Sequence, residues 1–191
     1  MPLTKKHAFD MVFDSQRVFR LLLEAMSRPG NIVDIGEYAG RLAGEEPAFL
    51  AVAATLLDNE VSFNAGADRV LADEIAALTL ARREELGAAD FVFTRGEDDM
   101  RPVIEKVKCG TPADPHKSAT VVVLTGAPEG TLTLRGPGID DRRTVLAARA
   151  VGEAIELRDA QNYEYPQGID LIFISRGGKL LAVPRLVKVV E

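Results

Sequence analysis

The sequence has one cysteine, two histidines and no tryptophan in 191 residues, and aromatic residues make up only 6% of it. Cys109 stands alone and cannot close an intrachain disulfide, so nothing requires an oxidising compartment. His7, His116 and Cys109 are too few for a His/Cys metal cage, although acidic residues leave an oxygen-only Mg²⁺ site open. Long apolar runs are missing too. The longest uncharged stretches, Pro47–Leu57 and Ser118–Pro128, are 11 residues each, against the roughly 20 of a spanning helix. The chain reaches Asp10 before any apolar leader develops, so no secretory signal is expected and the expected location is the cytoplasm. Basic charge is also short: 23 Lys and Arg against 29 Asp and Glu give a net charge of −6. That excludes a broad basic face for nucleic acid or anionic membrane, while leaving room for a local arginine cluster.

What is present is ordinary globular material, 47% hydrophobic and 27% charged, on a length suited to a single domain over residues 1–191. Val18, Leu21, Leu22, Ala25 and Met26 recur at helical spacing, predicting a helix from Ser15 to Met26 capped by Asp14 or Ser15 and stopped by Arg28-Pro29-Gly30. Asn31–Ile35 reads as a short strand. Ala48–Leu57, with Pro47 at its start, is apolar all round and predicts a buried helix. Strand Val61–Asn64, helix Asp68–Leu78, strand Phe91–Thr94 and helix Asp98–Val107 follow. Thr120–Thr125 and Thr131–Arg135 read as a hairpin across Gly126–Gly130, Val145–Arg158 as one helix, and Ile169–Ser175 with Leu180–Val183 as a second hairpin. Strands alternating with helices early and pairing late predict an α/β domain. Its sheet should be mixed and covered by helices on both faces, in three α/β/α layers.

No P-loop, dinucleotide-binding glycine motif, nucleophile elbow or paired-cysteine motif is present. Cys109-Gly110-Thr111-Pro112 reads as a helix-ending turn with a half-buried thiol. Leu134-Arg135-Gly136-Pro137-Gly138-Ile139-Asp140 has two readings. It is a rigid strand-to-helix turn, or a loop whose N–H groups face a phosphate beside Arg135, Arg142 and Arg143. Asp170, at the mouth of an apolar strand, must be solvated, bonded to N–H groups or paired with a cation such as Arg185, and it either pins the Tyr165–Gly168 loop or binds ligand. Asp58-Asn59 raises the same alternative. The seven lysines all lie in terminal, polar or charged segments, so none suits the desolvated Schiff-base role of pyridoxal-phosphate chemistry, and no cofactor is expected.

An ordered set of strings then carries a resemblance from about Phe9 to the C-terminus. These are Phe19–Gly30, Leu56-Leu57-Asp58-Asn59-Glu60, Cys109-Gly110-Thr111, Ala119-Thr120, Leu132–Ile139, Tyr165-Pro166-Gln167-Gly168-Ile169-Asp170-Leu171-Ile172 and Leu181-Ala182-Val183-Pro184-Arg185. The chain resembles the PhnH family, whose members are components of the bacterial carbon–phosphorus lyase system. The resemblance implies phosphonate catabolism, at the step that couples a phosphonate to the ribose triphosphate of a purine nucleoside triphosphate. It implies a fold like a pyridoxal-phosphate transferase domain without the cofactor lysine, a homodimer in isolation, and assembly with subunits G, I and J and the ATPase-like L component. Two places depart from the family. Pro115-His116 stands where it often has Pro-Glu, and Leu186-Val187 where it often has two threonines.

The leading expectation is therefore a complex subunit that binds partners and positions a phosphorylated ligand. The candidate ligand surface is Arg135, Gly136, Gly138, Tyr165, Asp170 and Arg185, with Arg28, Asp58 and Asn59 beside it. The competing expectation is a self-sufficient small-molecule transferase, which would turn over without partners.

Overall fold

The structure, a computed structural model, describes residues 7–98 and 100–190. Its centre is a run of four parallel strands: β2 (Ser62–Asn64), β4 (Phe91–Arg95), β5 (Thr120–Thr125) and β8 (Asp170–Ser175). A parallel strand, β3 (Arg82–Arg83), extends one side. Antiparallel β9 (Lys179–Val183) and β1 (Val33–Asp34) extend the other, giving seven strands in the order β1-β9-β8-β5-β4-β2-β3. Strands in the middle of a parallel sheet are buried on both faces and read as unbroken apolar runs. β5 does so: Val121 and Val123 enter one core, Val122 and Leu124 the other.

The first core lies under α1 (Phe13–Ser27), α2 (Gly36–Ala39), α3 (Pro47–Leu56) and α4 (Arg69–Thr79). Seven residues of α3 are buried, as its all-round apolarity requires. Phe49 of α3 meets Phe93 of β4 edge to face, ring centroids 5.4 Å apart. The second core lies under α5 (Arg101–Lys106) and α6 (Arg149–Asp159). A three-stranded antiparallel sheet closes over it: β6 (Gly130–Arg135) at its centre, flanked by β7 (Arg143–Ala147) and β10 (Lys188–Val190). Among the described residues the fold is thus an α/β arrangement of six α-helices and a mixed seven-stranded sheet.

Several expectations are corrected. Thr120–Thr125 and Thr131–Arg135 are not a hairpin, because both neighbours of β5 are the parallel strands β4 and β8, and β6 belongs to the second sheet. The glycine-rich link changes sheets instead of reversing within one. Val145–Arg158 is not one helix. Val145 and Ala147 are buried and Leu146 exposed, the alternation of a strand, and extended Ala148 separates β7 from α6. Helix α1 begins at Phe13 with neither Asp14 nor Ser15 capping it. Asp10 accepts the Val12 and Phe13 N–H groups at 2.8 and 2.9 Å, which, Phe13 foremost, hold its carboxyl below the usual carboxylate range. Asp14 is buried instead, against Arg41 at 2.7 Å and the Asp10 N–H at 2.9 Å. The strand expected over Asn31–Ile35 is only Val33–Asp34, and the helix expected over Asp98–Val107 is only Arg101–Lys106, with Asp99 outside the described residues.

One side chain joins the sheets. Arg158 of α6 is 1% exposed. It donates to the Pro184 carbonyl at 3.2 Å and to that of Val187, and it meets the Asp159 carboxylate at 2.9 Å. Both carbonyls lie on the link from β9 to β10. Phe93→Ala removes one ring of the aromatic pair from a site with 2% exposure. Urea unfolding should show a loss of about 3–5 kcal/mol.

Candidate functional site

The parallel strands enter the sheet along one edge, and that edge is lined with charge. At the mouth of β8, Arg185 Nη2 meets Asp170 Oδ2 at 2.6 Å, and the Arg185 backbone N–H donates to Asp170 Oδ1 at 2.8 Å. Nη2 also donates to Ser118 Oγ at 2.7 Å, Nη1 to the Pro115 and Pro166 carbonyls at 2.9 and 3.5 Å, and Nε to Asp170 Oδ1 at 3.4 Å. A guanidinium has five N–H donors. All five are used within the chain, so Arg185 clamps the 115–118 segment, the 165–168 loop and β8 together.

The 165–168 loop is tied from its other side as well. Gly168 N–H donates to the Cys109 carbonyl at 2.9 Å, and Gln167 Nε2 to that of Gly110 at 2.9 Å. Cys109 is half-buried, and Tyr165 projects outward at 75% exposure. Tyr163 packs on the second core near Cys109 and Arg158. Burial first, and the Cys109 charge second, push its phenol up to about 12.

Further along the same edge, before β4, Asp90 accepts from the Ser62 N–H at 2.8 Å, from the Ser62 hydroxyl at 2.7 Å and from Lys108. Burial pushes the Asp90 carboxyl up, yet Lys108 and Ser62 together outweigh it and hold it below the usual range. Asp58-Asn59 lies on the turn entering β2, exposed, with Asp58 Oδ1 accepting the Glu60 N–H at 2.8 Å. β2 and β8 are three strand spacings apart, about 14 Å. Asp58-Asn59 and Asp170–Arg185 therefore share an edge without meeting.

Arg28, Arg135, Gly136 and Gly138 form a second group. The segment after β6 is not a strand-to-helix turn: it leads into β7, and α6 begins only at Arg149, so no helix N-terminus stands behind its N–H groups. Its glycines serve close approach. A Cβ on Gly138, at φ +84°, would sit 2.7 Å from the Ser27 carbonyl oxygen, and one on Gly136 2.8 Å from that of Leu186. The loop thereby packs against the end of α1 and against the residues that follow Arg185. Arg135 is exposed and faces Lys188 directly across the β6–β10 pair, two like charges side by side. Arg28 is exposed at the end of α1. His116 is exposed, Leu186 is 41% exposed and Val187 is buried.

Sequence reasoning missed the opposite edge, where the parallel strands end. Buried Glu46 pairs with Arg95, and Arg95 Nη2 also meets Asp68 at 2.9 Å. Arg176 reaches Glu46 at 3.4 Å and Glu97 at 3.7 Å. Hydrogen bonds donated by Arg95 to the Glu46 and Asp68 carboxylates raise its pKa, so it stays charged. Burial pushes Asp68 up, but the Leu71 N–H and Arg95 outweigh it and leave it low. This cluster sits between β2 and β4, where the chain leaves β2 for β3 on one side and β4 for β5 on the other, the switch point at which open α/β sheets bind ligands. The cavity beside it, lined by Phe49, Asp68, Phe93 and Arg95 among others, holds only about 120 Å³, below the usual range of ligand sites. The available signal was Arg95 closing an apolar strand and Glu46 preceding the helix-starting Pro47.

Fold and edges together define a mixed α/β protein whose edge charges are largely ion-paired on the protein itself. The chain matches the family of bacterial phosphonate metabolism proteins, PhnH, over residues 7–190, and it belongs to that family. It is 31% identical over 189 residues to the alpha-D-ribose 1-methylphosphonate 5-triphosphate synthase subunit PhnH of Rhizobium meliloti, covering 94% of this chain and 92% of that one. It is 30% identical over 172 residues to the putative C-P lyase subunit protein HtxG of Stutzerimonas stutzeri, covering 89% and 83%.

The glycine contacts and the buried phenol can each be tested. Gly138→Ala should destabilise the fold by more than about 1 kcal/mol in urea unfolding, whereas Gly126→Ala, with open space around its Cβ, should leave it unchanged. In alkaline titration followed by tyrosinate absorbance, one of the three tyrosines should ionise only near pH 12, and Tyr163→Phe should remove that step. The folded pKa is raised above 10.0. The stability linked to Tyr163 is therefore intact below about pH 10 and falls as pH rises toward 12.

Proposed function

We propose that this chain is a partner-binding, ligand-positioning subunit of a phosphonate-processing assembly, acting at the step that joins a phosphonate to a ribose triphosphate, with its whole length working as one PhnH domain. The observation that carries this reading is the family match across residues 7–190, together with two relatives whose names are those of subunits of such systems. Partners of the G, I, J and L type, a homodimer of the isolated chain and a cytoplasmic setting belong to the same reading. No described helix is long and apolar enough to cross a membrane.

The ligand-facing surface in this reading runs over Arg28, Arg135, Gly136, Gly138 and Tyr165, with Asp170 and Arg185 holding the loops beneath it. Asp58 and Asn59 are a separate contact further along the sheet edge. Support comes from Arg135 and Lys188, two exposed cations held side by side across the β6–β10 pair, whose mutual repulsion an anion or an acidic surface would relieve. The likeness to a pyridoxal-phosphate transferase domain lacking its cofactor is part of the proposal. It is supported by the mixed sheet and by the placement of Lys106, Lys108, Lys117, Lys179 and Lys188, none of them buried.

In a bacterium lacking its own PhnH protein, this chain should restore growth on methylphosphonate as sole phosphorus source and should co-purify subunits G, I and J. Arg135→Glu should reduce that growth at least tenfold without lowering the melting temperature, since it places an opposite charge across from Lys188. Failure to co-purify those subunits, or turnover by the isolated chain, would overturn the reading.

A further inference from the structure

An apolar cavity of about 400 Å³ shares no residue with the surfaces described so far except Arg176. It lies on the α6 side of the large sheet, outside the ends of β5 and β8, where Thr125 and Ser175 stand in register. Its existence follows from the layers. α6 and the small sheet cover β5 and β8, but β9 and β1 run on beyond them, and a hollow remains between β7 and the β8–β9 hairpin. Val151, Phe173 and Leu181 make an apolar floor, and Ile32 and Leu146, 44% and 62% exposed, stand at the mouth. A volume of this size lies within the range usual for small-molecule sites.

The polar groups at the rim specify the ligand's other end. Among the described residues no carboxylate lines the cavity, in a chain with 29 acidic and 23 basic residues. Arg176 and Lys179 do line it. Arg176 is held loosely, at 3.4 and 3.7 Å, by Glu46 and Glu97. Lys179 is exposed, and Asp34, its cross-strand neighbour, turns its carboxylate onto the Gly36 N–H at 2.8 Å. Ser175 Oγ accepts the Lys179 N–H at 3.1 Å and keeps its own proton for donation.

We propose that this cavity binds a small organic anion: an apolar body on Val151, Phe173 and Leu181, with a carboxylate or phosphate against Lys179, Arg176 and Ser175. The site is independent of the surface around Arg135, so either can fail alone. The probe is 8-anilinonaphthalene-1-sulfonate, which has an apolar ring system and one anionic group. Titration should show saturable fluorescence enhancement at one probe per chain. Lys179→Glu and, separately, Ala127→Trp at the mouth should each weaken binding at least tenfold, while Lys117→Glu, remote from the cavity, leaves it unchanged. All three positions are exposed, so the fold is preserved. Uncharged N-phenyl-1-naphthylamine should bind at least tenfold more weakly than the sulfonate. No saturable binding, binding insensitive to Lys179→Glu and Ala127→Trp, or equal affinity for the uncharged probe would overturn the proposal.

Discussion

Arg185 sets the geometry of the functional edge. Its guanidinium binds Asp170 at the mouth of β8, carbonyls of Pro115 and Pro166, and the Ser118 hydroxyl. Removing charges from water is expensive, and such a pair is favourable only when every remaining donor and acceptor is met. Here they are met, by three segments that sequence separation alone would leave independent. The clamp fixes where the 165–168 loop lies, and through Leu186 and Gly136 it fixes the loop beyond β6 as well. An arginine suited to a ligand's phosphate thus serves as the anchor of its neighbours.

Local patterns were legible where one element decides its own environment. The β-branched run of β5 and the apolar run of β8 each named a strand, the all-round apolarity of α3 named a buried helix, and the structure has all three. Arg185 was legible as one candidate partner of Asp170, because a carboxylate opening an apolar strand needs water, N–H donors or a cation, and the structure supplies the cation together with a backbone N–H. The misreadings arose where partner choice is tertiary. β5 and β6 are joined by a link short enough for a hairpin, and only the presence of β4 and β8 on both sides of β5 forbids one. Val145 and Ala147 fit a helix face as well as a strand face, and pairing with β6 decided between them. The Glu46–Arg95–Asp68–Arg176 cluster left only the separate traces of Arg95 ending a strand and Glu46 preceding Pro47, and nothing local joined them: Glu46 and Arg176 are 130 residues apart.

The two ends of the parallel strands treat charge differently. At the entering edge, Asp90 and Asp170 are each bonded to a cation and to backbone or hydroxyl donors. At the leaving edge, Glu46 is shared between two arginines, and the cations continue past it to the rim of the apolar hollow. With a net charge of −6, the long-range field disfavours anions, and only such local concentrations of Arg and Lys can hold one.

Pro184–Val187 is gripped from both sides. Arg158 holds its first and last carbonyls from within the core, and Arg185, inside the segment, is fastened outward to β8 and the 115–118 turn. Such a stretch has little conformational freedom left to lose. Whatever docks against it meets a preorganised wall, and the ordering entropy that usually weakens association at loops was already spent when the chain folded.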